Sequence, residues 1–336
     1  MVAMMILVRL FLIIVTSGAG WQAKPVIERK SVLDMAGPVV FGKDNKTLIL
    51  GSTRQIRIYD VATAEIVRKV KHSSESDDLG DVGDGPLWMS RDGSSVAIFG
   101  NRAMHIVKLS SRASQSVTVP WDPAGLPSLA MSGDGKILAV GHSDSKIYLV
   151  NTENGKLLQE INPKKSPGEW LTGGPNEVAF SPNGETVVST TAFKIIFWNS
   201  RTGKHLGTLP GHRGFIRAVC FSRDGKYLAS GDDDNRVMIW NVRDKKQVVE
   251  FVLSGKVRSI AFSPDSRILA CVAGSELHLL DWNSQHELNV GVIKSTINSV
   301  VFSADGKMLA CSARSYAKIP RRITIVFSLE YPKEGK

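Results

Sequence analysis

The sequence predicts an all-β fold, a seven-bladed propeller of four-stranded antiparallel sheets, on the strength of two observations. The first is a short phrase, an apolar residue followed by Ser-x-Asp-Gly or a variant of it, that occurs seven times in 336 residues. A period of about 40–45 residues is typical of one propeller blade, and the copies here are 48, 42, 49, 41, 41 and 40 residues apart, starting at Phe41, Met89, Met131, Phe180, Phe221, Phe262 and Phe302. The second is an alternation of apolar and polar side chains between the copies, which indicates strands.

Each copy of the phrase lies in a unit of four predicted strands, which is clearest at residues 218–252. A first apolar strand leads into the phrase, where Asp224 provides local hydrogen bonds and Gly225 accepts the positive φ of a tight turn. The other elements follow in order: a strand at 227–231, a turn at 232–235, and strands at 237–240 and 247–252. One such sheet is poorly stable alone, but sheets stacked face to face around an axis bury both faces.

The last copy provides only three strands, at about 297–302, 307–312 and 322–327. Residues 25–32 alternate like a strand and precede the first inner strand, so we predict that they form the outer strand of the last blade. Closing the ring with the N-terminal strand removes an open sheet edge. The predicted organisation is therefore one propeller at 25–330, preceded by a separate segment at 1–20 and followed by a C-terminal tail at 331–336.

The unit at residues 211–241 resembles a WD40 repeat. After Gly-His it has Ser230, Asp234 and Trp240 at the offsets that this family uses. The resemblance implies a structural tetrad: the Trp240 indole bonds to the Ser230 hydroxyl, the hydroxyl to the His212 imidazole, and the imidazole to the Asp234 carboxylate. Leaving any member of a buried network unpaired costs about 1–3 kcal/mol. The resemblance extends over residues 35–330.

Most other units lack parts of this tetrad. The position of the aspartate matches again only at Asp144, and the position of the tryptophan only at Trp198. We therefore expect most blades to depend on apolar packing between sheets. The three cysteines, Cys220, Cys271 and Cys311, are predicted to be small buried residues rather than disulfide partners or metal ligands.

Residues 1–20 have the features of a secretory signal peptide. Arg9 precedes an apolar run at 10–15, and small residues at 17–20 suggest cleavage near Gly20. The run is short for a membrane span, which needs about 20 residues. The sequence therefore predicts export to the periplasm or the cell exterior, with no membrane span in the mature protein. The alternative is a protein anchored in the membrane by an uncleaved signal.

The net charge of +10 and the pI near 9.5 favour anionic partners, or they reflect general surface basicity without a specific partner. An acidic protein is one such partner, and an acidic polysaccharide or another anionic ligand is the alternative. The basic residues are scattered through turns and are not interleaved with aromatic residues. This pattern offers no stacking platform and disfavours nucleic acid as a partner.

The long loops are predicted to gather on one rim of the propeller. In the family that the chain resembles, connections between sheets and loops between second and third strands share a rim. The two longest repeats expand this class of loop at 72–85 and 162–175, and residues 312–322 form a third such loop. Long loops on a rigid scaffold often carry binding residues. The acidic residues at 75–84 are either a solvated loop or a calcium site.

Five residues are candidate partner contacts on this rim. Four equivalent positions before the repeated Phe are predicted to ring the mouth of the central channel, namely Arg217, Arg258, Asn298 and Asn176. Arginines there could contact an anion or an acidic peptide, or the ring could be merely solvated. Trp170 in the second long loop is either an anchor for a partner or packed on the blade edge. Arg321 and Arg322 in the third loop complete the candidates.

The sequence contains no tight metal-ligand pair, nucleophile elbow or phosphate-binding loop, so we predict no catalytic residue, cofactor or metal. The predicted function is that of a non-catalytic scaffold that binds a protein or an anionic ligand on its loop-rich rim. One alternative is a propeller enzyme, a glycan hydrolase or lyase, with its active site in the channel. Another is an accessory protein resembling the TolB-type repeat family, which shares the Ser-Pro-Asp-Gly turns.

Overall fold

The computed structural model describes residues 39–51, 55–71, 87–90, 93, 95–100, 103–109, 114–117, 128–142, 146–162, 177–292, 295–315 and 322–329. Within these ranges all regular structure is β-strand, arranged in seven antiparallel sheets. Six sheets have four described strands and the last has three. The prediction of an all-β, seven-bladed propeller is confirmed. The predicted closing strand at 25–32 lies outside the described residues.

The strands of the first four blades follow the chain in order. Blade 1 consists of β1 (Val39–Phe41), β2 (Thr47–Gly51), β3 (Gln55–Asp60) and β4 (Ile66–Lys71); blade 2 of β5 (Leu87–Met89), β6 (Ser95–Gly100), β7 (Ala103–Lys108) and β8 (Ser114–Val117); blade 3 of β9 (Ser128–Met131), β10 (Ile137–Gly141), β11 (Ile147–Asn151) and β12 (Leu157–Ile161); blade 4 of β13 (Val178–Phe180), β14 (Thr186–Thr191), β15 (Lys194–Asn199) and β16 (His205–Leu209).

The last three blades continue the pattern. Blade 5 consists of β17 (Ile216–Phe221), β18 (Tyr227–Asp232), β19 (Arg236–Asn241) and β20 (Lys246–Val252); blade 6 of β21 (Val257–Phe262), β22 (Ile268–Ala273), β23 (Glu276–Asp281) and β24 (His286–Val292); blade 7 of β25 (Ser295–Phe302), β26 (Met308–Ser315) and β27 (Arg322–Ser328).

The first strands of the blades form a closed ring. Each packs against the first strand of the next blade, from β1 through β5, β9, β13, β17, β21 and β25, and β25 packs against β1. Phe41 and Leu50 of blade 1 are buried in one apolar cluster with Ala310 of blade 7. At the same junction the Asp305 N–H donates to Asn45 Oδ1 over 3.3 Å. The innermost strands thus surround the axis, and both faces of each sheet are covered.

The recurring Ser-x-Asp-Gly phrase forms the turn between the first and second strands. In blade 5, Ser222 Oγ donates to Asp224 Oδ1 over 2.6 Å and accepts the Tyr227 N–H over 2.9 Å. Gly225 in the same turn has a φ of 73°, a conformation that favours glycine. Equivalent bonds form in other blades at Ser132, Ser181, Ser263 and Ser303. The phrase is therefore a structural turn, and its polar side chains are engaged within it.

The core lies between neighbouring blades rather than in one central mass. Successive residues of each middle strand point to opposite faces of the sheet and therefore contact different neighbouring blades. In β19, Val237 and Ile239 contact blade 6, whereas Met238 and Trp240 contact blade 4. Cys271 and Cys311 are fully buried and Cys220 is half-buried, and all three are free thiols. Burial raises the pKa of Cys220 to about 12.

Candidate partner-binding surface on the upper rim

Two classes of loop lie together on one rim, which we call the upper rim: the turns between second and third strands, and the connections between blades. The Ile216 N–H, at the end of the connection into blade 5, donates to the Ala192 carbonyl in the second turn of blade 4 over 2.9 Å. The Asp233 N–H donates to the Phe215 carbonyl over 3.0 Å. These bonds fix the backbone of the upper rim between blades 4 and 5. The Ser-x-Asp-Gly turns lie on the opposite, lower rim.

A buried hydrogen-bonded network supports this rim in blade 5. Trp240 Nε1 donates to Ser230 Oγ over 2.8 Å, Ser230 Oγ lies 2.6 Å from His212 Nε2, and His212 Nδ1 lies 2.7 Å from Asp232 Oδ2. Asp232 Oδ1 also accepts backbone N–H groups of the following turn, from Asp234 over 3.0 Å and Arg236 over 2.9 Å.

The carboxylate of this network differs from the one that the family resemblance implied. Asp234 is exposed in the turn, and Asp232 holds the imidazole instead. The reason is the length of β18, which continues through Asp232. Residues two apart in a strand point to the same face, so Asp232 and Ser230 both face His212. The assignment of Asp234 is corrected to Asp232.

The imidazole of this network is neutral. Burial lowers the pKa of His212 below its usual value of 6.5, and this effect exceeds the opposing influence of Asp232. The bonding pattern agrees, because a neutral ring that donates from Nδ1 to Asp232 leaves Nε2 to accept the Ser230 hydroxyl proton. Ser230 then accepts the Trp240 N–H, and every donor has an acceptor.

Arg217 and Arg258 lie at the start of the inner strands β17 and β21, where each is the extra residue of a β-bulge. Pairing with the second strand skips from Ile216 to Ala218 in blade 5, and the same shift occurs around Arg258 and, in blade 7, around Asn298. A bulge redirects a side chain out of the regular alternation. All three residues are exposed. The bulge explains why these equivalent positions present their side chains on the upper rim.

The remaining candidates cannot be placed in this way. Trp170 and Arg321 lie outside the described residues, as do the acidic residues 75–84 and, apart from Asn162, the long loop at 162–175. Arg322 begins β27, and only its backbone is described. These residues therefore remain predictions.

Arg217 is held by a specific ion pair. Its Nη2 lies 2.8 Å from Asp233 Oδ2 and its Nε 3.1 Å from the same atom. Its guanidinium carbon also lies 5.5 Å from the centre of the Phe215 ring. The Arg217 hydrogen bond and charge lower the pKa of Asp233, and the charges of Lys256 and Arg258 add to this effect. One carboxylate thus faces cations from two blades.

Sequence reasoning missed a pair of exposed aromatic residues beside this ion pair. Phe193, in the second turn of blade 4, and Phe215, in the connection into blade 5, have ring centres 5.3 Å apart. Their exposed fractions are 43% and 46%. The only available signal was the polar context of Phe193, an aromatic residue in a two-residue turn. Nothing in the sequence indicates that Phe215, 22 positions later, meets it.

Glu177, at the entrance to blade 4, has an unusual environment. Its Oε2 accepts the Ser128 hydroxyl over 3.2 Å, and Ser128 Oγ in turn accepts the Val178 N–H over 2.9 Å. Burial raises the pKa of Glu177 to about 7, against the smaller opposing influences of the Ser128 bond and the Arg217 charge. The carboxyl is therefore partly protonated at neutral pH.

The arrangement closest to a catalytic one lies in blade 6. His278 Nδ1 lies 2.7 Å from Glu287 Oε1, and His278 Nε2 lies 3.5 Å from the exposed Ser254 Oγ. However, Ser254 donates its hydroxyl proton to Glu276 Oε2 over the much shorter distance of 2.6 Å. The imidazole therefore does not accept the proton that a serine nucleophile would have to release.

Comparison with known proteins agrees with this architecture. The family profile described as "WD domain, G-beta repeat" matches residues 203–241 and 247–278. A second profile, "Anaphase-promoting complex subunit 4 WD40 domain", matches residues 118–200. These matches cover somewhat less than half of the chain, and the closed ring of seven sheets agrees with them. Over these residues the chain carries WD40 repeats.

Several curated proteins are similar to parts of this WD40 chain. The periodic tryptophan protein 2 homolog of Schizosaccharomyces pombe is 36% identical over 119 residues, which are 34% of this chain and 14% of that protein. Eukaryotic translation initiation factor 3 subunit I of Aspergillus fumigatus is 32% identical over 117 residues, 34% of each chain. Small ribosomal subunit protein RACK1y of Oryza sativa is 29% identical over 134 residues, 39% of this chain and 40% of that protein. The matches thus span less than half of each relative.

These relatives contradict the predicted export. An initiation factor subunit and a small ribosomal subunit protein are named for protein synthesis, which takes place inside cells. The predictions of a secretory signal and of a periplasmic or extracellular location are therefore wrong, because an apolar run and small residues alone were too weak a basis for them. Among the described residues, no helix has the length and apolar character needed to cross a membrane.

The names of the relatives also bear on the kind of function. They describe a subunit of an initiation factor and a component of a ribosomal subunit.

Proposed function

We propose that this WD40 protein is a non-catalytic scaffold that binds a protein partner on the upper rim of blades 4–6. The observation that carries the proposal is the contact between Phe193 and Phe215, two half-exposed aromatic rings supplied by adjacent blades. Aromatic residues and arginine are enriched among the residues that dominate binding energy in protein interfaces. Arg217, beside Phe215, completes such a group.

The backbone beneath the two rings is fixed before a partner arrives. The Ile216 N–H bonds to the Ala192 carbonyl and the Asp233 N–H to the Phe215 carbonyl, so both loops are tied to their blades. A preorganised surface loses little conformational entropy on binding. Covering the exposed half of each ring, roughly 90 Å², would contribute about 2 kcal/mol per ring. The two rings therefore suit the centre of an interface.

Catalysis is not part of this proposal. The serine of the Ser254–His278–Glu287 arrangement is engaged by Glu276. The buried His212–Asp232 pair is occupied within its own blade. Both of these arrangements of potentially reactive side chains therefore serve to hold loops in place.

Affinity capture tests the proposal. The tagged protein and the double variant Phe193→Ser/Phe215→Ser are used to recover proteins from a eukaryotic lysate, with quantitative mass spectrometry as the readout. A matched control, Leu158→Ser/Val248→Ser, removes two similarly exposed apolar residues from outer strands. We expect the rim variant to lose a set of proteins that the wild type and the control both retain, by about tenfold or more.

Equal recovery by all three proteins, with thermal melting showing that each is folded, would contradict the proposed function. Equal loss in the rim variant and the control would contradict it too, because general surface hydrophobicity would then explain capture.

A further inference from the structure

The upper rim of blades 5 and 6 carries two adjacent rows of exposed side chains. Exposure alternates along the connection into β17, where Arg213, Phe215 and Arg217 are exposed and the residues between them are buried. The connection into β21 repeats the pattern, with Lys256 and Arg258 exposed on either side of one buried residue. Because β17 and β21 pack side by side, the two rows are neighbours.

Positive charge is in excess where the two rows approach the channel. Asp233 is shared by three cations: Arg217 binds it directly, and Lys256 and Arg258 lie close enough to lower its pKa. Within the described residues, neither Lys256 nor Arg258 has an ion pair of its own. One carboxylate therefore faces three cations, which leaves positive charge to attract a further carboxylate.

The other carboxylates nearby reduce this excess only in part. Asp232 is buried against His212, whereas Glu276 keeps its negative charge while it accepts the Ser254 hydroxyl and so offsets one of the exposed cations. Glu177 is partly protonated at neutral pH because its pKa is raised to about 7. Asp234 is exposed in the turn beside Gly214 and contributes one negative charge at the outer part of the rim.

We infer that the upper rim of blades 4–6 binds an acidic segment of a partner protein, with its carboxylates over Lys256 and Arg258 and an apolar side chain on the Phe193–Phe215 pair. This inference rests on the proposed function and specifies the chemistry of the partner. Arginine and lysine bind carboxylates through charge-assisted hydrogen bonds. The aromatic pair lies at the blade 4 side of the same surface, next to Arg217.

Single-stranded RNA is the other polyanion that such a surface suggests, and the geometry disfavours it. Base stacking needs an open aromatic face, but the two rings lean on each other at 42° and a guanidinium lies over Phe215. Asp233 and Asp234 would also lie close to the phosphates. An acidic peptide can place its few carboxylates over the cations and keep apolar groups elsewhere.

Fluorescence anisotropy with defined probes tests the inference. The probe is a fluorescein-labelled peptide of about ten residues, ~33 Å when extended, rich in Asp and Glu around a central Leu-Phe pair. The comparison probes are the same peptide with Asn and Gln in place of Asp and Glu, and an oligouridylate of similar length. We expect the acidic peptide to bind at least about tenfold more tightly than either, with an affinity that falls as salt is raised.

Two double variants of equal charge locate the site. Lys256→Gln/Arg258→Gln should weaken binding of the acidic peptide by about tenfold or more. Lys226→Gln/Lys307→Gln, which removes two exposed cations from the lower rim, should leave it unchanged. Circular dichroism melting checks that both variants are folded.

The inference is overturned if the acidic peptide does not bind, if the neutral peptide or the oligouridylate binds as tightly, or if the lower-rim variant loses as much affinity. These outcomes differ from failure of the proposed function. Captured proteins that depend on Phe193 and Phe215 while the acidic peptide fails would preserve the function and reject only the acidic partner.

Discussion

Replacement of Asp232 by alanine is the sharpest test of the structure around the upper rim. The carboxylate is fully buried and accepts three hydrogen bonds, from His212 Nδ1 and from the backbone N–H groups of Asp234 and Arg236. Removing it leaves three donors unsatisfied. Each orphaned donor costs about 1–3 kcal/mol, so three of them cost at least about 3 kcal/mol. We therefore expect Asp232→Ala to lower the free energy of unfolding by about 4 kcal/mol.

Urea unfolding followed by the fluorescence of the seven tryptophans measures this loss. The matched control is Asp234→Ala, which removes the exposed carboxylate two positions later and should cost less than about 1 kcal/mol. If Asp234→Ala destabilises the protein as much as Asp232→Ala, the assignment of the network to Asp232 is wrong.

Three further predictions concern other parts of the molecule. The melting temperature should fall as pH rises from 4.5 through about 7, because the pKa of Glu177 is raised in the folded state. Glu177→Gln should flatten that part of the melting profile, and an unchanged profile would contradict the prediction. Gly231→Ala should lower the free energy of unfolding in urea by about 1–3 kcal/mol, because a Cβ there would overlap the Val257 side chain and force the junction of blades 5 and 6 apart. An unchanged unfolding midpoint would show that the junction can relax. Trp198→Phe should lower the free energy of unfolding by about 1–3 kcal/mol, because the hydrogen bond from Trp198 Nε1 to the buried Ser189 Oγ is lost. Adding Ser189→Ala should then lower it little further, and full additivity of the two substitutions would argue against the bond.

The fold could be predicted because its signal is repeated. Seven copies of one turn at nearly constant spacing define the blades, and each Ser-Asp pair forms its bonds within a few residues. Local chemistry of this kind does not depend on the rest of the chain, so the sequence shows it directly.

The network in blade 5 was only partly predictable. Ser230 and Trp240 occupy positions fixed by strand register and His212 lies in the connection before β17, but two aspartates near the turn satisfy the spacing almost equally well. Which of them faces His212 depends on where β18 ends, and strand ends are the least certain feature of a sequence-based prediction.

The aromatic pair and the shared carboxylate could not be predicted, because both are contacts between loops of different blades. Phe193 approaches Phe215, and Asp233 collects charges from the connection into the next blade, only once the sheets are stacked. The sequence did place Arg217 and Arg258 at equivalent positions, yet the bulges that expose them follow from pairing with the second strands.

The closed ring has a consequence for how the protein loses its structure. In a linear array of repeats, an end repeat has one neighbour and can fray without disturbing the others. Here β25 packs against β1, so every blade has a neighbour on each side and none can leave without breaking two junctions. Disruption of one junction, such as that between blades 5 and 6, therefore weakens the whole ring, and the protein is expected to unfold as a single cooperative unit.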